Sequence, residues 1–87
     1  MITENRNKID EIDRTLMSLL DERLELVKII GGIKKKENIP IFNKEREDEI
    51  LSKTLNFKNS KFLTSIFSKI LEESRKFQEE KCKSKSR

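Results

Sequence analysis

From about Thr3 to Lys36 the apolar residues Ile9, Ile12, Leu16, Leu19, Leu20, Leu26, Val27, Ile30 and Ile33 recur at steps of three and four. That is the period of a helix with one buried face, and it predicts a single long helix. Pro40, inside NIPIF, stops it and biases the preceding residue towards extended backbone, so residues 37–42 are expected to form a connecting loop. Asn43 is a good N-cap for a second helix from about Lys44 to Leu55, with Ile50 and Leu51 facing inward. A turn at FKNS follows, and Ser60 is expected to cap a third helix from about Lys61 to Lys81. Its apolar face is Leu63, Ile66, Phe67, Ile70, Leu71 and Phe77. No strand pattern occurs, and the fold class predicted is all-α with one long, one short and one medium helix.

A helix of about 34 residues is ~50 Å long, whereas a compact chain of this size has a radius of gyration of only ~12 Å. The first helix must therefore overhang the rest of its own chain. Its apolar stripe runs the whole length, so the overhanging part needs a cover, and a second copy of the same chain is the simplest one. The expected assembly is an intertwined, helix-swapped homodimer.

Ions interrupt this stripe. Stepping along the first helix gives Arg6, Ile9, Asp13, Leu16, Leu20, Arg23, Val27, Ile30 and Lys34. Arg23 and Lys34 are eleven residues apart in the sequence, which at 100° per residue returns to within about 20° of one direction. They face one cavity. Arg6 lies about 100° away from Arg23 and ~25 Å along the axis, too far to share that cavity within one chain but within reach of a partner's in an antiparallel dimer. The third helix places Ser74 and Gln78 in the row of Leu63, Phe67 and Ile70, and the second puts Glu47, beside Arg46, three residues before Ile50. Two or three cations, a carboxylate, an amide and a hydroxyl on inward faces suit a small dianion.

Each position also has a plainer account. Long cations can cover apolar surface with their stems and keep their charge in water. Glu47 can favour its helix N-terminus, with Arg46 its neighbour in a solvated charge run. Asp13 can pair with a cation in the stripe, and Ser74 and Gln78 can mark an exposed helix end.

Composition narrows the class. At 87 residues, 41% charged and 33% hydrophobic, the chain is one small domain with little to bury alone. Its formal charge of +4 comes from the tail KCKSKSR, which holds four of the 20 Lys+Arg; residues 1–80 balance 16 against 16. The organisation expected is a helical domain over 1–80 and a basic, disordered tail over 81–87. A nucleic-acid domain would cluster its positive charge on a face of the fold, so no nucleic-acid partner is expected. The N-terminus lacks the apolar run of a signal peptide and no segment is long and apolar enough for a membrane span, so a cytoplasmic protein with no membrane partner is expected. One cysteine, Cys82, and no histidine leave no zinc cluster and no intrachain disulfide; no metal and no cofactor are expected.

Taken in order, these motifs resemble the all-helical class of chorismate mutase over roughly residues 4–80. RNKIDEID carries Arg6 at the position of the family's R-x-x-I-x-x-x-D. LLDER matches L-L-x-x-R and ends in Arg23, GGIK matches G-x-x-K and ends in Lys34, NKEREDEI supplies Asn43, Arg46 and Glu47, and SRKFQ matches S-x-x-x-Q with Ser74 and Gln78. No one of these short motifs is specific; their order and spacing together are. The resemblance implies an intertwined dimer that rearranges chorismate to prephenate in phenylalanine and tyrosine biosynthesis, without cofactor or metal. Arg23 and Arg6 of the partner subunit would hold the two carboxylates, with Ser74 and Arg46 assisting. Lys34 and Gln78 would donate to the ether oxygen, and Glu47 would accept from the ring hydroxyl. Asn43 departs from the aspartate frequent in relatives at that position, which helps hold the substrate hydroxyl. Gly31 and Gly32 each cost up to ~1 kcal/mol relative to Ala in a helix, a cost that fits another backbone or the substrate coming close. Two other readings stay open: an isochorismate pyruvate-lyase on the same scaffold, against which Glu47 leans, and a non-catalytic helical dimerisation module whose interior ions set register.

Overall fold

The structure, a computed structural model, describes residues 1–81. Three α-helices follow one another: α1 Ile2–Glu37, α2 Lys44–Lys53 and α3 Ser60–Lys81, with a 3-10 turn Thr54–Asn56 after α2. No strand occurs among the described residues. The basic tail falls at 82–87 apart from Lys81, the last residue of α3, and so lies outside the described residues.

The end of α1 owes more to Asn38 than to Pro40. Asn38 sits in the left-handed region at φ 58, a conformation asparagine tolerates better than most residues. Its N–H bonds the Lys35 carbonyl at 3.4 Å, and the Ile39 N–H bonds the Lys34 carbonyl at 2.8 Å. These two bonds satisfy carbonyls that the helix end would otherwise orphan, and Pro40 then follows where the chain is already leaving. Lys34, Lys35 and Lys36 in the last turn add cations at the negative end of the helix dipole.

Asn43 caps α2 as its sequence position implies: its Oδ1 accepts from the Arg46 N–H at 3.0 Å. Two boundaries differ from those expected. α2 ends at Lys53 and tightens into the 3-10 turn, because the Thr54 hydroxyl reaches the Leu51 carbonyl at 2.6 Å. Ser60 is the first residue of α3 and not its cap; the Asn59 carbonyl already accepts from the Leu63 N–H at 3.0 Å, which makes Asn59 the cap position.

Arg23 of α1 meets Ser74 of α3, and four residues later in each helix Val27 meets Gln78. The two helices therefore run side by side in the same direction, and α2 packs against α3, so that all three helices border one cavity. α1 is 36 residues long, or ~54 Å, in a molecule 57 Å in its longest dimension with a radius of gyration of 16.2 Å. Its N-terminal half overhangs. Ile9, Ile12, Leu16 and Leu19 are exposed there, and Leu71 is the one buried apolar side chain larger than glycine among the described residues. A chain with so thin a core has little hydrophobic stabilisation of its own.

Polar packing at the α2–α3 corner is denser. Thr54, 4% exposed, has its hydroxyl 2.6 Å from that of Thr64, which lies 2.8 Å from the Ser60 carbonyl. Two hydroxyl protons serve three contacts here, so only two are hydrogen bonds at any moment. Thr54→Val should cost about 1 kcal/mol, a fall of roughly 4–8 °C in melting temperature by circular dichroism; an unchanged melting curve would show that the corner contributes nothing.

Candidate functional site

Two cavities flank the α1–α3 seam. The larger, about 450 Å³, lies among Leu20, Leu24, Ile66, Ile70 and Phe77; its charged members are Lys69 and Glu73, which pair with each other at 3.3 Å, and Arg23, which with Ser74 borders both cavities. It is an apolar groove apart from that ion pair, Arg23 and Ser74. The smaller, about 280 Å³, gathers Arg23, Lys34, Asn43, Arg46, Glu47, Ser74 and Gln78, with Val27 and Ile30 between them. Seven of the eight site residues expected from the sequence thus line one cavity. Arg6, the eighth, is on the overhanging half of α1 and does not line it.

Helical register brings the seven together. Arg23, Val27, Ile30 and Lys34 stand one above the other along α1 because steps of three and four return to one face. α3 supplies Ser74 and Gln78 from consecutive turns, and the cap at Asn43 sets where α2 begins and so where Arg46 and Glu47 point.

The Arg23 guanidinium donates from Nη1 to Ser74 Oγ at 2.9 Å, and Ser74 donates its own proton to the Ile70 carbonyl at 2.8 Å. Ser74 therefore orients Arg23. Burial pushes the Arg23 pKa below its usual value, and the nearby Arg46 charge adds to that. Lys34 Nζ donates to the Ile41 carbonyl at 2.6 Å, tying the Asn38–Asn43 loop to the cavity. Among the described residues no carboxylate lies within ion-pair distance of Arg23 or Lys34, and no cation lies within that distance of Asp13. Asp13 therefore does not form the structural pair considered for it.

Gln78 is 6% exposed, and its Nε2 donates to the Val27 carbonyl at 2.8 Å, which leaves a second N–H on that amide. Arg46 lines the cavity, but its Nη1 is bonded to Glu49 Oε1 at 2.9 Å, both side chains being exposed. Asn43 spends its side-chain oxygen on the cap, a task aspartate would perform equally well. Glu47 Oε2 accepts from Arg75 Nε at 2.8 Å. Arg75 lines the cavity and escaped the sequence reading; its signal was the row Leu71, Arg75, Gln78, a second helical stripe beside that of Ser74. The close approach expected at the glycines is not made at Gly32 within this chain. Gly31 is buried, whereas a Cβ on Gly32 would meet nothing within 4 Å.

Three helices converging cations, an amide and one carboxylate on a single small cavity define a class of helical domains built around an anion-sized pocket. The chain belongs to the chorismate mutase type II family, whose sequence model matches residues 5–79. It is similar to the bifunctional chorismate mutase/prephenate dehydratase of Aquifex aeolicus, 50% identical over 54 residues, 62% of this chain and 15% of that protein. The bifunctional chorismate mutase/prephenate dehydratase of Buchnera aphidicola subsp. Baizongia pistaciae is 38% identical over 74 residues, 79% of this chain and 20% of that one. The chorismate mutase of Methanocaldococcus jannaschii is 45% identical over 49 residues, 56% of this chain and 50% of that one. The chain thus matches half or less of the length of each of these relatives. No solved structure is a significant match. Among the described residues no helix is long and apolar enough to cross a membrane.

Gln78→Glu should make stability depend on pH. A protonated carboxyl can donate to the Val27 carbonyl, whereas a carboxylate would set two acceptors face to face in a buried spot. The buried carboxyl's pKa is then raised, so the stability it contributes is present at low pH and lost as pH rises through that value. Thermal melts at pH 5 and pH 8 should show the variant close to wild type at the lower pH and clearly below it at the higher; equal deficits at both would contradict the Gln78–Val27 contact.

Proposed function

We propose that the chain rearranges chorismate to prephenate, a unimolecular step in which an ether C–O bond breaks as a C–C bond forms. One observation carries the reading: Arg23 and Lys34 face a small cavity, and no carboxylate of the described residues lies within ion-pair distance of either, Glu47 in the same wall being bonded to Arg75. Their missing counter-charge is an anion of small size, and chorismate carries two carboxylates. The reaction needs no general base and no nucleophile, consistent with a chain that has no histidine. The protein's contribution is to restrict a flexible dianion to the reactive pose and to hold fixed charge where the transition state develops it.

In this account Arg23, oriented by Ser74, holds one carboxylate. Lys34 and the second N–H of Gln78 donate to the ether oxygen as negative charge builds on it. Glu47 accepts from the ring hydroxyl through the oxygen that Arg75 leaves open. Arg46 leaves Glu49 to assist, and Asn43 shapes the rim. Arg6 of a second copy holds the other carboxylate, and the exposed stripe Ile9, Ile12, Leu16 and Leu19 is the surface by which that copy joins an intertwined homodimer. The activity belongs to phenylalanine and tyrosine biosynthesis, and a cytoplasmic location goes with it. Among the described residues no group of side chains is arranged to hold a metal, and the mechanism calls for none.

Incubation of the purified chain with chorismate should yield prephenate, and a chain that leaves chorismate unchanged would overturn the proposal. Lys34→Ala should lower kcat by about 10²–10³-fold with a smaller change in KM, because its bond strengthens in the transition state. Gln78→Glu should confine turnover to acidic pH, since a carboxylate has no proton to donate, whereas the protonated carboxyl has one O–H, bonded to the Val27 carbonyl in the free chain, that can turn to the ether oxygen when substrate is bound.

A further inference from the structure

Arg75 stands in the cavity without a part in binding or charge stabilisation. Its Nε donates to Glu47 Oε2 at 2.8 Å, and its guanidinium carbon lies 5.2 Å from the centre of the Phe42 ring. The three residues come from three segments: Phe42 from the loop, Glu47 from the first turn of α2 and Arg75 from α3.

This ion pair differs in kind from the others of the described residues. Each of those joins side chains three or four positions apart on one helix, with both partners exposed. The Arg75–Glu47 pair crosses between helices, and its side chains are only 33% and 18% exposed. A pair on one exposed helix face holds nothing in place that the helix does not already hold. A pair between two helices, at a cavity wall, fixes the position of a carboxylate that its own helix leaves free to rotate.

The chemistry of the contact suits that task. A carboxylate has two oxygens, and a bond from Nε to Oε2 sets the plane of the group while leaving Oε1 able to accept a second hydrogen bond. The guanidinium is held in turn by the Phe42 ring, whose negative face attracts it. Its rigid planar fork makes it a better orienting group than an ammonium on a flexible stem.

We propose that Arg75 is a positioning residue for Glu47: it aims Oε1 of Glu47 at the substrate's ring hydroxyl, and Phe42 keeps Arg75 in place. The inference rests on the reading of this cavity as a chorismate site with Glu47 the hydroxyl acceptor. Arg75 acts through Glu47, so the two residues are energetically coupled, and its removal is felt only while Glu47 is present.

A double-mutant cycle on the full chain tests this. Arg75→Met should lower kcat/KM for chorismate about tenfold, and Glu47→Gln should lower it further. The double variant should be no worse than Glu47→Gln alone, and Arg75→Lys should recover part of the loss. Circular dichroism melts of all four proteins separate positioning from unfolding. Losses that simply add would overturn the inference and assign Arg75 a contact of its own with the substrate; an Arg75→Met chain as active as wild type would overturn it as well. The Arg75 Nε–H resonance in a 15N-resolved spectrum provides a reading free of turnover: Glu47→Gln should shift it, and an unmoved resonance would show that the contact does not form. A wild-type chain inert to chorismate whose resonance nevertheless responds would place the failure in the assigned activity and not in the ion pair.

Discussion

Arg23 lies half-buried between α1 and α3 with a neutral hydroxyl, that of Ser74, as its hydrogen-bond partner. Burial and the charge of Arg46 push its pKa down, which is to say that the folded chain holds this cation at a cost. The usual remedy is a carboxylate, and among the described residues none lies within ion-pair distance of Arg23; Glu47, across the cavity, is bonded to Arg75. An anionic ligand would supply it, and would gain more from a partly desolvated guanidinium than from one in open water. Lys34, three turns along the same face, extends the demand, and Glu47 supplies the one acceptor-only group of the wall. That asymmetry is what a dianion bearing a hydroxyl would match.

A second constraint acts on the chain as a whole. α1 is too long for the helices it packs against, and its overhanging half exposes Ile9, Ile12, Leu16 and Leu19. The same half carries Arg6. In the proposed dimer one contact therefore covers the stripe and completes the pocket, so that assembly and substrate binding draw on the same stretch of helix. Gly32, with open space around it in the single chain, is where a second backbone would find room.

Much of this was legible in the sequence because it rests on periodicity. The positions of Arg23, Lys34, Ser74 and Gln78 follow from steps of three and four, and Asn43 is a cap in any context that starts a helix after it. Legibility ended where a residue has more than one suitable partner. Arg46 belongs to the cavity by its place in the helix, yet its guanidinium finds Glu49 in solvent. Arg75 is not legible from the row through Ser74 and Gln78, because α3 turns a second row, Leu71, Arg75 and Gln78, towards α2. Asn38 ends α1 through backbone bonds that a reading centred on Pro40 does not weigh. The cap of α3 falls at Asn59, one residue before Ser60, because two adjacent residues of good capping type leave the sequence undecided between them.

The claim that a pocket in one chain is finished by an arginine of another is open to a direct measurement. Chains bearing Arg6→Ala and chains bearing Lys34→Ala, each nearly inactive alone, would be unfolded together and refolded as a mixture, and chorismate turnover recorded. Half of the resulting dimers are mixed, and each mixed dimer has one site with both residues intact. The account predicts recovery of about a quarter of wild-type activity, as the two-fold symmetry of such a dimer requires. A mixture as inactive as its parents, from chains that refold and pair normally, would contradict it.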